Sequence, residues 1–143
     1  MRLATLCLLL AVAACNDLRE FEGEWSGPRV GDAPALAVGV TAGATATLAI
    51  DGIDKHGMRG RLSVAGLVDA ASFVSLEGAE ADALATMSFA GSPMRVYLAF
   101  VPAAGGDVLA VIALYDSRRI EVRVLRGGSS PVYAIFALGE SAT

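Results

Sequence analysis

The chain has 143 residues and a mass of 14.6 kDa; it is 55% hydrophobic and 18% charged, with mean hydropathy +0.57 and net charge −4. That is the length of one domain, and a chain this apolar buries enough surface to offset its ordering entropy, which excludes a disordered protein. The acidic balance argues against nucleic acid, which is held by clustered positive charge, and one His with two Cys leaves little from which to assemble catalytic or metal chemistry.

Met1-Arg2 places one positive charge before an almost unbroken apolar run, Leu3 to Ala14, that ends at Cys15. As a helix the run is about 18 Å long at 1.5 Å per residue. A bilayer core is about 30 Å thick, so the run is too short to span it. Its flanks are those of a secretory signal helix. It closes on Val12-Ala13-Ala14-Cys15. This string, in this place, resembles the lipobox of bacterial lipoproteins. The resemblance implies a diacylglycerol on the Cys15 thiol, cleavage between Ala14 and Cys15, and a fatty acyl chain such as palmitate on the new amino group. The protein is then expected at the bacterial cell envelope, held to the inner or the outer membrane by lipid. Ala11-Val12-Ala13 also fits the A-x-A site of ordinary secretion, which would leave Cys15 as a free thiol near the new terminus. On the lipid reading Cys7 is lost with the leader and the mature chain keeps no thiol. The expected divisions are a signal peptide over 1–14, a lipidated polar tether over 15–22, one β domain over 23–139 and a tail over 140–143.

From Glu22 onward the signals are those of strands. Glu22–Gly27, Leu36–Thr41, Thr45–Ile50, Met58–Val64, Ser72–Leu76 and Ala85–Ala90 are candidates, with a turn over Asp51–Gly57. Glu77–Leu84 is rich in helix-favouring Ala and Glu and reads as a short helix or a loop. The last third is clearest: Met94–Val101, Val108–Tyr115, Arg119–Arg126 and Val132–Leu138 are separated by short breaks rich in Gly, Asp, Ser and Pro, the pattern of a hairpin meander. In Arg119–Arg126 the residues Ile120, Val122 and Val124 share one face, with Arg119, Glu121 and Arg123 on the other, the period of a half-buried strand. Val108–Tyr115 is apolar on both faces, which predicts either that both are covered or that it exposes an apolar strip for something else to cover, as at an interface of the structural alternative. The fold class is all-β: an antiparallel up-and-down meander of eight to ten strands, closing as a small barrel or packing as a β-sandwich.

Phe21-Glu-Gly-Glu-Trp25 opens the folded region, and its Gly23-Glu24-Trp25 resembles the G-x-W signature on the first strand of lipocalin-like (calycin) barrels. The resemblance implies that Trp25 closes one end of the barrel and that a basic side chain from the last strands crosses it: Arg119, Arg123 or Arg126, with Arg123 the residue expected. The C-terminal helix usual in lipocalins has no counterpart in the pattern.

Other chemistry is thin. Asp51, Asp54 and His56 fit no standard metal loop and read as a solvated turn. His56 has no G-x-S-x-G elbow to serve. Ser129 and Ser130 belong to a turn, and Gly127-Gly128 leads into another strand, not into the helix N-terminus a phosphate loop needs. Glu20, Glu22, Glu24 and the group Glu77, Glu80, Asp82 lack an apolar surround that would raise a pKa. Arg118, Arg119, Arg123 and Arg126 form the densest basic cluster and read as a solvated strand face that resists edge pairing. The expected protein is therefore non-enzymatic, with no metal or cofactor. It binds a small apolar ligand inside the barrel or a protein partner on its surface, and as the alternative it is a structural envelope component with a filled core and no ligand.

Overall fold

A computed structural model of the chain describes residues 17–30, 38–77, 89 and 91–142. The expected signal helix and Cys15 lie outside them, as do most of Glu77–Leu84 and Ala85–Ala90. A 3-10 turn, Leu18–Phe21, leads into eight strands: β1 Gly23–Pro28, β2 Thr45–Ile53, β3 Met58–Val64, β4 Val68–Val74, β5 Arg95–Val101, β6 Val108–Tyr115, β7 Arg119–Arg126 and β8 Val132–Glu140. Among the described residues no helix is long and apolar enough to cross a membrane. Of the described part of the expected strand Leu36–Thr41, residues 38–41, only Val38 pairs in the sheet, in a single bridge to Tyr133.

All eight strands belong to one sheet in the order β4-β3-β2-β1-β8-β7-β6-β5, with every pairing antiparallel. The first strand lies beside the last, which wraps the meander into a nearly closed barrel rather than two packed sheets. Closure is incomplete only between β4 and β5. There the Leu76 amide donates to the Leu98 carbonyl at 2.7 Å and the Ala104 amide to the Leu67 carbonyl at 2.8 Å, but no ladder joins the two strands. Val74 and Phe100, 73% and 59% exposed, stand on the outer face along this seam.

Alternation decides which side chains point inward, and two bulges correct it. On β2, Ala46, Leu48 and Ile50 face the core; Ile50 pairs with Gly60 but Gly52 with Arg59, so Asp51 is an extra residue. The insertion flips the parity and returns Ile53 to the interior opposite Met58. Between β3 and β4 the register shifts again, because Leu62 pairs with Ala71 and Val64 with Val68. Ala70 takes a left-handed φ of 41° in this bulge, and its amide donates to Ser63 Oγ at 3.2 Å. Without these insertions the apolar residues at the ends of β2 and β4 would face water.

Gly27 and Gly60 lie where neighbouring strand backbone comes too close for a side chain. A Cβ on either would drive into backbone of the neighbouring strand, the Ala137 carbonyl for Gly27 and the Ala49 carbonyl for Gly60. The absence of a side chain is what lets the strands coil tightly enough to close. The interior is then filled by large side chains, among them Leu48, Met58, Leu62, Ile112, Phe136 and Leu138, in one continuous cluster.

β6 is covered on both faces, the first of the two outcomes its sequence predicts. Val108, Ala110, Ile112 and Leu114 face the core, while Val111, Ala113 and Tyr115 are buried on the outside. The residue before β5 continues its pairing with β6: the Met94 amide donates to the Leu114 carbonyl at 2.7 Å. The Arg123 guanidinium stacks 4.6 Å above the Phe89 ring.

Candidate functional site

The end of the barrel where the chain enters is built by Phe21, Gly23 and Trp25. Asp17 caps the 3-10 turn by accepting the Arg19 amide. Gly23 has φ 124°, a conformation other residues rarely adopt, and it swings the chain from the turn into β1. This reversal lays Phe21 against Trp25, with ring centroids 5.6 Å apart and planes at 27°. The indole N–H donates to the Phe21 carbonyl at 2.8 Å, so the polar atom of a side chain only 1% exposed is satisfied. Within the segment expected as a lipidated polar tether over 15–22, Leu18–Phe21 fold into a plug, because Phe21 buries fully against the core.

The basic residue that crosses the plugged end is not Arg123. On β7, Ile120, Val122 and Val124 point inward and Arg123 outward, where it pairs with Glu121 at 2.6 Å. Both partners of that pair are largely covered, so this face is less solvated than its sequence predicts. Arg119 lies 4.3 Å above the Tyr115 ring. Arg126 sits at the opposite end and donates to the carbonyls of Ala104, Gly106 and Ser130, tying two loops together. Arg118 is the residue that reaches the plug: it donates to Glu140 at 2.9 Å and to the Glu20 carbonyl at 3.5 Å. The arginine cluster of the sequence is therefore dispersed into four separate attachments. The signal for Arg118 was its place in the β6–β7 turn, at the same end of the barrel as Trp25.

Beside the plug, the rim carries a cavity of about 440 Å³ between the 3-10 turn, the β2–β3 hairpin and the end of β4. Its lining includes the exposed charged side chains of Arg19, Glu22, Arg59 and Glu77 and the buried apolar side chains of Ile53 and Met58. Ser75, buried at the same rim, accepts the Met58 amide at 2.8 Å, and its own amide donates to the Met58 carbonyl. The hairpin is held by Asp54, whose Oδ1 accepts the amides of His56 at 2.7 Å and Gly57 at 3.0 Å. The Tyr97 hydroxyl donates to the Asp54 carbonyl at 2.6 Å, and burial pushes that phenol's pKa up. Asp51 instead pairs with Arg61 at 3.7 Å on the surface. Among the described residues no group of three His, Cys, Asp or Glu side chains is placed to hold a metal ion.

The His56 and Gly57 amides hold the Asp54 carboxyl below its ordinary value of 3.8. A carboxylate with a depressed folded pKa stabilises the fold above its unfolded pKa and ceases to do so as pH falls through the lower folded value. Acid is therefore expected to loosen the β2–β3 hairpin before the rest of the sheet. Amide exchange at His56 and Gly57 should accelerate as pH drops below the ordinary carboxylate range, after correction for intrinsic exchange, and Asp54→Asn should blunt that change. An unaltered acid response in Asp54→Asn would assign it to another group.

Comparison with protein-family models, with curated proteins and with solved structures finds no match for this chain.

Proposed function

We propose that this chain is an envelope lipoprotein whose barrel is a non-enzymatic binding module, anchored through acyl chains on Cys15 and engaging its ligand or partner at the rim and outer surface. Val12-Ala13-Ala14-Cys15, behind a charged start and an apolar run, supports the anchor. One observation carries the choice of an outer site over an interior one. The inward side chains of all eight strands merge into a single buried cluster, closed at one end by Phe21 and Trp25. A barrel of about eight strands either fills with side chains or holds one ligand, and the packing here favours the first.

The anchor has simple energetics. Each buried methylene contributes about 0.8 kcal/mol, and one acyl chain alone binds only marginally. Two or three chains on one residue make release negligible. Protein taken from a bacterial membrane should therefore begin at Cys15 and carry acyl mass on it, and Cys15→Ala should move the protein to the soluble fraction. A mature chain that begins at Ala14 with a free thiol would replace this reading with ordinary secretion.

The filled core also supports a second reading, a structural component without a ligand. The exposed pair Val74 and Phe100 at the seam favours it, because exposed apolar side chains on unpaired edges invite contact with another chain. Concentration-dependent assembly that is lost in Phe100→Ser would select the structural role.

A further inference from the structure

We propose that the rim cavity is a site for a zwitterionic group, a phosphate joined by a short carbon linker to an ammonium, as in an ethanolamine headgroup. As to the lipid source of that group, the inference rests on the lipoprotein reading above; as to the chemistry of the site, it rests on the cavity alone.

The size is suitable. About 440 Å³ falls within the roughly 300–1,000 Å³ of small-molecule sites and exceeds what a phosphate alone requires. The charges at the rim are of both signs. Arg19 and Arg59 supply guanidinium groups, and Glu22 and Glu77 supply carboxylates. Among the described residues none of these four takes part in an ion pair, although three such pairs form elsewhere on the barrel. The nearby Asp54 carboxylate is already occupied by two hairpin amides. A simple anion would meet Glu22 and Glu77, and a simple cation would meet Arg19 and Arg59. A molecule bearing both charges pairs with each set, and its methylenes lie over Ile53 and Met58. Guanidinium groups suit phosphate because their planar donors match its oxygens in pairs.

The position is also suitable. Only Asn16 and Asp17 separate Cys15 from the 3-10 turn that forms one wall of the cavity. At about 3.3–3.6 Å per residue, three peptide steps span roughly 10 Å. A lipid on Cys15 therefore holds Arg19 and Glu22 at the depth of the headgroups, with the plugged end of the barrel toward the bilayer and the Arg126 end away from it.

The test uses the full lipidated protein in a non-ionic detergent, titrated with O-phosphoethanolamine, inorganic phosphate and ethanolamine while the His56, Gly57 and Arg59 amides are followed by NMR. Saturable binding of phosphoethanolamine at least tenfold tighter than either fragment is expected, falling at least tenfold in Arg59→Gln and in Glu77→Gln. Both side chains are exposed, so neither change endangers folding. Equal binding of phosphate alone, no binding of phosphoethanolamine, or unchanged affinity in both variants would overturn the proposal. A second arm compares vesicles of phosphatidylethanolamine with vesicles of phosphatidylglycerol. Protection of the same amides only by the first identifies the bilayer as the source, and protection by neither, with soluble phosphoethanolamine still bound, identifies a free ligand. An unmodified Cys15 in mass spectra would remove the anchor and leave the titration result standing.

Discussion

Replacing Trp25 with Ala is expected to destabilise the barrel by about 3–5 kcal/mol, the range for removing a buried Trp or Phe. Domains of this kind are stable by only about 5–15 kcal/mol, so this one substitution takes a large share of the whole. Three losses coincide at the site. The indole leaves a cavity at the end of the core, Phe21 loses the ring on which it stacks, and the Phe21 carbonyl loses its donor. Trp25→Phe separates them: it keeps most of the volume and the stack but leaves the carbonyl unpaired, a cost of about 1–3 kcal/mol. Urea unfolding followed by circular dichroism measures both. Because Phe21 anchors the 3-10 turn, Trp25→Ala should also speed amide exchange at Glu20 and Glu22, whose amides donate to the carbonyls of Asp17 and Arg19. A Trp25→Ala protein with the native unfolding midpoint would show that the plug contributes nothing to closure.

Gly60→Val is expected to do comparable damage by the opposite route. Nothing is removed; a side chain is added where the β2 backbone lies close against β3. The first atom of that side chain would collide with the Ala49 carbonyl, which is backbone and cannot turn aside. Relief requires the two strands to part, which breaks the pairing of Ile50 with Gly60 and of Ala49 with Arg61. Overpacking of a core typically costs about 1–3 kcal/mol, and a clash with backbone belongs at the top of that range or above it. Valine is the informative choice because it is a strong strand former, so its propensity argues for stability and only the geometry argues against it. Gly127→Ala is the control: nothing lies within reach of an added Cβ there, and its effect should stay within about 0.5 kcal/mol. Equal unfolding midpoints for the two variants would remove the close approach at Gly60 as a condition of closure.

These two experiments probe what makes the barrel close. The rim cavity depends on the β2–β3 pairing that Gly60→Val disturbs, because its walls come from the 3-10 turn, the β2–β3 hairpin and the end of β4. The acid response of Asp54 tests the middle one directly.

The strand pattern was legible before any coordinates. Met58–Val64, Val108–Tyr115 and Arg119–Arg126 fall where alternation and turn residues put them, because the two-residue period and the needs of a tight turn are local properties. The two-sided apolar character of β6 was legible for the same reason. Tertiary structure alone decided the rest. The bulges at Asp51 and Ala70 reverse inside and outside along one strand, and a bulge is defined by the register of the partner strand. The plug at Phe21 looked like tether, since one aromatic among charged residues carries no period. The G-x-W resemblance points to Arg119, Arg123 or Arg126 at the plugged end, and only the wrapping of β8 onto β1 brings Arg118 there instead. The cavity had no trace in any single segment, because its charges converge from the 3-10 turn, the β2–β3 hairpin and the end of β4, which only strand pairing and the packing of the turn bring together.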